Sequence, residues 1–155
     1  MSKKRILILC TGNSARSQMA EGLLRHLSRN TREVHSAGTR PSTLNPLAIE
    51  AMREIGLDIS TQRSKPVAEF DGQQFDTVIT VCDHAAEHCP VFPGAPERIH
   101  WSLPDPAAVN GTHDEKLTAF RNVRNDLDRK LRGFLQTHRA LYFTSSTQRN
   151  SRGQS

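Results

Sequence analysis

Four consecutive aliphatic residues, Ile6-Leu7-Ile8-Leu9, run directly into Cys10. The residues that follow, Thr11-Gly12-Asn13-Ser14-Ala15, carry almost no side chain. An apolar run without alternation fits a strand buried on both faces, the situation of a parallel sheet covered by helices. Beyond the small-residue stretch, Met19, Ala20, Leu23, Leu24 and Leu27 recur at helical spacing, which predicts a helix over 16–29. Strand, tight loop and helix in that order form the first half of a right-handed βαβ unit.

The same alternation continues along the chain. Glu33 to Gly38 reads as a second strand. Asn45 as N-cap with Pro46 at the first helical position opens a helix whose apolar face is Ala48, Met52 and Ile55, stopped by Gly56. Residues 57–74 are polar and irregular. Phe75 to Val81 predicts a third buried strand and Arg98 to Trp101 a fourth, followed by the proline-rich turn SLPDPAAVNG. Thr112 and Glu115 form a capping box ahead of a long helix with Leu117, Phe120, Val123, Leu127, Leu131, Phe134 and Leu135 on one face. The expected architecture is α/β: one catalytic domain over 1–143, built on a four-stranded parallel sheet flanked by helices. The tail at 144–155 lacks an apolar pattern and is expected to be disordered.

Composition narrows the function classes. A chain of 155 residues, 35% hydrophobic and 24% charged, suits a single core with a polar surface. No stretch approaches the roughly 20 apolar residues of a membrane span. The basic start MSKKR precedes too short an apolar run for a signal peptide, so a cytoplasmic protein is expected. The net charge of +5 is dispersed among acids and aromatics are only 5%, which favours a solvated, mildly basic surface over a nucleic-acid groove. Three cysteines, Cys10, Cys82 and Cys89, argue against a structural disulfide framework. They leave metal binding, redox chemistry or nucleophilic catalysis.

In parallel sheets ligands bind beyond the carboxyl ends of the strands. Cys10, Cys82 and Asp105 each follow a predicted strand, so all three are expected on one rim. The small residues Thr11, Gly12, Asn13, Ser14 and Ala15 let the backbone curl with its N–H groups inward, while the following helix points its positive end into the same space. Such a nest suits a tetrahedral oxyanion, and Arg16 can offer a bidentate fork. The same field is expected to lower the pKa of Cys10 well below ~8.5, with Ser17 as a hydrogen-bond donor to it.

LCTGNSARSQMAEG resembles the phosphate-binding loop of the low-molecular-weight protein tyrosine phosphatase superfamily, in its arsenate reductase branch. The resemblance spans roughly 4–140 and includes HSAGT (35–39), GLDIS (56–60), VITVCDHAAEHCP (78–90) and HWSLPDP (100–106). It implies the phosphatase-like fold with a flavodoxin-like strand order. It also implies Cys10 as nucleophile, Arg16 as oxyanion clamp and Asp105 as general acid. Departures weigh against a phosphatase. Ala15 stands where the phosphatases have a second loop cysteine, Ala107 and Ala108 stand where they have tyrosines, and the only tyrosine is Tyr142.

Reduction of arsenate needs two electrons, which thiols can supply in relay. The resemblance implies that Cys10 attacks arsenate, Cys82 then attacks Cys10, and Cys89 attacks Cys82. The final Cys82–Cys89 disulfide is then reduced by thioredoxin, or alternatively by glutaredoxin with a small thiol. Phosphate or sulfate can occupy the same loop. Were the CDHAAEHC segment helical, its two cysteine Cα atoms would stand about 10 Å apart, beyond the roughly 4.4–6.8 Å a disulfide tolerates. Oxidation would then have to unwind it. Two other readings compete: a phosphatase acting on phosphorylated protein or small esters, and a non-enzymatic arsenite- or zinc-binding thiol protein. For zinc, Cys82, His84, His88 and Cys89 are the candidate ligands, although one short loop rarely closes a tetrahedron. No metal or other cofactor is otherwise expected. Some members of the branch bind potassium near the loop through residues matching Asn13, Glu21 and Ser36 plus an acid. Here Lys65 replaces that acid, which raises the expectation that its ammonium takes the cation's place.

Overall fold

The computed structural model describes the backbone of residues 3–154 and the side chains of residues 3–138. Its elements are β1 (Lys4–Cys10), α1 (Arg16–Leu27), β2 (Arg32–Gly38), α2 (Pro46–Arg53), β3 (Thr77–Thr80), α3 (Asp83–Glu87), β4 (Glu97–His100) and α4 (His113–Gln154). Short 3-10 turns lie at Val67–Phe70 and Pro106–Ala108. The polar tail at 144–155 falls outside the described side chains.

The four strands form one parallel sheet in the order β2-β1-β3-β4. This is the expected flavodoxin-like order, and it makes β1 a central strand. Ile6, Leu7, Ile8 and Leu9 are accordingly almost fully buried, which explains why their sequence does not alternate. β4 is an edge strand and mostly exposed, and it carries Glu97 and Arg98, charges of the kind that discourage further strand pairing. β3 is shorter than the sequence pattern implied, and β4 keeps the expected length but begins one residue earlier. Phe75 and Val81 lie outside β3 but remain in the core, and Trp101 closes β4 through its N–H to Thr80 O.

The helices begin where their end signals stand. Asn45 Oδ1 accepts from Leu47 N at 2.8 Å, with Pro46 at the first helical position. Thr112 and Glu115 exchange reciprocal hydrogen bonds of 3.1 and 3.3 Å ahead of α4. α4 packs against α1 and α2 through Leu117, Phe120, Val123, Leu127, Leu131 and Phe134, all buried. Helix α1 stops at Leu27, two residues short of the expected end, because Arg29 and Asn30 turn to positive φ. No helix among the described residues is long and apolar enough to cross a membrane.

Candidate active site

In this strand order the chain leaves β1 toward β2 on one side and pairs with β3 on the other. The crevice between β1 and β3 is therefore the switch point at which α/β sheets bind ligands. β1 ends at Cys10, and Cys82 follows β3 by two residues.

The loop after Cys10 is shaped by where its carbonyls go. Cys10 O accepts from Thr39 N (3.2 Å), Thr11 O from Arg40 N (2.8 Å), Gly12 O from Ser42 N (3.0 Å) and Ser14 O from Asn45 N (2.9 Å). Gly12 O also accepts from Ser64 Oγ at 2.9 Å, and Asn13 O from Gln18 Nε2 at 3.0 Å. With every carbonyl from Cys10 to Ser14 drawn outward, the N–H groups are left to face the loop's centre, aided by Asn13 at φ 47°. Ala15 caps α1 with no side-chain acceptor, and the first turn holds no acid. The leading N–H groups of α1 thus keep their capacity to bind an anion. Thr11, Gly12, Asn13, Ser14 and Ala15 make up the loop between β1 and α1, and Arg16 opens the helix.

The loop is braced from behind by Asn13, Ser17, Ser36, Glu21 and Lys65, joined by Gln18, which carried no such expectation. Asn13 is fully buried; its Nδ2 donates to Ser17 Oγ (2.8 Å) and Ser36 Oγ (2.9 Å), and its Oδ1 accepts from Gln18 Nε2 and Lys65 N. Ser17 therefore pairs with Asn13, not with Cys10 as expected, because the α1 backbone turns its hydroxyl toward the brace. Ser36 Oγ donates to Glu21 Oε1 at 2.6 Å. The Lys65 ammonium stands 3.6 Å from that carboxylate and donates to Arg63 O at 2.9 Å. A β-carbon on Gly38 would lie 2.5 Å from Thr11 O and 3.0 Å from Asn13 N, so only glycine lets β2 approach the loop this closely. Gln18, Ser42, Ser64 and Gly38 lie at sequence separations that carry no periodic signal. Only Gly38, the glycine within HSAGT that ends β2, was a local hint.

The thiols depart from expectation in one respect. Cys10 and Cys82 are both buried and free, and they share a hydrogen bond. The bond to Cys82 and burial push the Cys10 thiol upward, outweighing Arg16 and the Thr11 N–H. The low pKa expected at Cys10 is thus not found there. Cys82 is instead held down to about 5, first by the Cys10 hydrogen bond, then by the Thr11 hydroxyl, the Ala85 N–H and Arg16. Thr11 Oγ1 lies 3.3 Å from Cys82 Sγ. The physical reason is proximity: two buried thiols in contact retain one proton and one charge, and α3 offers the charge on Cys82 its own N–H donor.

Arg16 Nη1 donates to Leu103 O at 2.8 Å, which ties this side chain to the loop carrying Asp105. The Asp105 carboxylate is exposed and accepts from Ala107 N at 3.0 Å, capping the 3-10 turn stiffened by Pro106. Cys89 is half-buried beyond α3, with Arg98 Nη1 donating to its Sγ at 2.8 Å. His84 and His88 stack with ring centroids 4.1 Å apart, and no group of three or more metal-ligating side chains is assembled among the described residues.

Comparison with known proteins agrees with this geometry. Residues 5–142 match the family model described as low molecular weight phosphotyrosine protein phosphatase. A protein of Halalkalibacterium halodurans named arsenate reductase is 45% identical over 137 residues, covering 88% of this chain and 99% of the relative. A solved structure described as an arsenate reductase in the phosphate binding state superposes with TM-score 0.70 at 32% identity, covering 86% of this chain and 98% of the other. A thioredoxin-dependent arsenate reductase of Corynebacterium glutamicum gives TM-score 0.67 at 27% identity, over 87% of this chain and 61% of that one. In sequence, strand order and loop geometry alike, this chain belongs to the low molecular weight phosphotyrosine protein phosphatase family.

Proposed function

We propose that this protein reduces arsenate to arsenite, using Cys10, Cys82 and Cys89 in relay, in the cytoplasm, with thioredoxin restoring the thiols. The observation that carries the reading is the contact between Cys10 and Cys82 at the mouth of an oxyanion loop. A phosphatase needs one nucleophile, one acid and water, and has no use for Cys82 and Cys89. The identity with proteins named arsenate reductase supports the substrate, and the thioredoxin-dependent neighbour supports the electron donor.

Arsenate enters the nest of N–H groups, and Arg16 leaves Leu103 O to bind two of its oxygens. Cys10 passes its proton to the Cys82 thiolate and attacks arsenic. Asp105, on the loop that Arg16 tethers, protonates the departing oxygen. Cys82 releases its proton to water and, as the thiolate, attacks Cys10 Sγ. The S–As bonding pair stays with arsenic, As(V) becomes As(III), and arsenite leaves a Cys10–Cys82 disulfide. Cys89 next attacks Cys82 Sγ and frees Cys10 as a thiolate. Five helical residues separate the two cysteines, so α3 unwinds to let them meet. Thioredoxin supplies the two electrons that reduce Cys82–Cys89.

The test is arsenite release in a single turnover without reductant. The unsubstituted protein and Cys89→Ser should each release one equivalent, the latter stalling as Cys10–Cys82. Cys10→Ser and Cys82→Ser should release none. Repeated turnover by Cys82→Ser would refute the relay. Phosphate and arsenate are near isosteres, so hydrolysis of small phosphate esters by Cys82→Ser is compatible with it.

A further inference from the structure

α3 has only five residues, too few to be stable without tertiary anchors. Ala85 supplies one, fully buried in the core. On the side facing β4, packing is incomplete: a cleft of about 190 Å³ opens between Val78, Thr80, Ala86 and Cys89 on one side and Arg98, Ile99 and His100 of β4 on the other. Polar contacts from β4 span that cleft at both ends of the helix. At its start, His100 Nε2 lies 2.9 Å from Asp83 Oδ1, while His100 Nδ1 is held 2.7 Å from Thr80 Oγ1. Beyond its end, Arg98 Nη1 donates to Cys89 Sγ and Arg98 Nη2 donates to Pro90 O at 3.1 Å. Arg98 and His100 are two apart on β4 and so share a face.

We infer that β4 is a two-point latch on the redox segment, in which Arg98 and His100 hold α3 closed and restrain Cys89 until Cys82 is oxidised. The inference rests on the relay proposed above and adds a control on its third step. In that step the Cys89 thiolate forms a bond to Cys82 Sγ, the Cys10–Cys82 bond breaks, and Cys10 departs with the electron pair. One proton is lost at Cys89 and one regained at Cys10. Cys89 must leave Arg98 to make this attack, and Asp83 must leave His100 for α3 to unwind. Both are positioning residues, exposed on an edge strand, and neither touches Cys10 or the oxyanion loop.

The experiment follows one turnover of the full-length protein with arsenate, quenched by alkylation, with the disulfides assigned by peptide mass. In Arg98→Ala and His100→Ala, arsenite release should keep its rate and amplitude. Conversion of Cys10–Cys82 to Cys82–Cys89 should speed up by roughly twofold to fivefold, the scale of losing one partly exposed charged contact. Amide exchange over 82–90 in the reduced protein should quicken by a similar factor, with exchange in β1 and α4 unchanged. Arg98→Lys, which keeps a donor to the sulfur, should fall back toward the unsubstituted rate. A third step unchanged or slowed in both alanine variants overturns the latch while leaving the relay intact. Failure of the unsubstituted protein to form Cys82–Cys89 at all overturns the relay, and the latch with it.

Discussion

Replacing Lys65 with methionine tests how the loop's brace is held. Lys65 is 8% exposed and Glu21 2%, so the pair sits close to dry. Removing the ammonium leaves Glu21 with Arg25, whose Nη1 is 2.7 Å from Oε2, and with the Ser36 hydroxyl. Breaking a buried pair outright costs about 3–5 kcal/mol. Two features reduce that here: the retained Arg25, and relief of burying Lys65, whose desolvation lowers its pKa despite Glu21. About 1–2 kcal/mol should remain, or roughly 2–8 °C in melting temperature for a domain of this size. The assay is thermal unfolding in matched NaCl and KCl. The unsubstituted protein should melt identically in both, because the ammonium already neutralises Glu21. Lys65→Met should melt lower in NaCl and recover in KCl, since Glu21 and Ser36 then present oxygens to a cation. A clear rise of the unsubstituted melting point in potassium over sodium would refute the reasoning, as would a Lys65→Met protein with an unchanged melting point.

Other expectations follow from the same contacts. Gly38→Ala, whose new methyl would press on Thr11 O, should cost about 1–3 kcal/mol and weaken phosphate binding measured by calorimetry; unchanged affinity would show that the loop yields freely. For the thiol pair, the folded protein holds one proton where the unfolded chain holds two, between about pH 5 at Cys82 and the ordinary value of 9.0. The stability advantage of the unsubstituted protein over Cys82→Ser should therefore grow as pH rises from 5 to 9, and be lost as pH falls toward 5. Above pH 9 the raised Cys10 reverses the slope, and chemical denaturation across that range would expose a wrong sign. Leu127→Ala, at a fully buried position of α4, should cost about 2–5 kcal/mol by urea unfolding without altering arsenite release per folded molecule.

The alternation of apolar runs with helical spacing determined the class of fold before any contact was known. Burial on both faces forces β1 to read Ile-Leu-Ile-Leu, and a strand so buried must lie inside a parallel sheet. The caps at Asn45 and Thr112, the α4 stripe and the oxyanion loop were legible for the same reason: each is a local arrangement whose partners lie within a few residues. Tertiary structure decided what no local pattern encodes. Strand order set Cys10 against Cys82 across 72 positions of chain, and that proximity pushes the Cys10 thiol up while it holds Cys82 down. Lys65, Ser64 and Gly38 reach the loop from irregular chain or a neighbouring strand, and Arg98 meets Cys89 across an edge. A hydrogen bond or a shared proton depends on distance in space, and spacing along a chain reports that distance only where the backbone repeats.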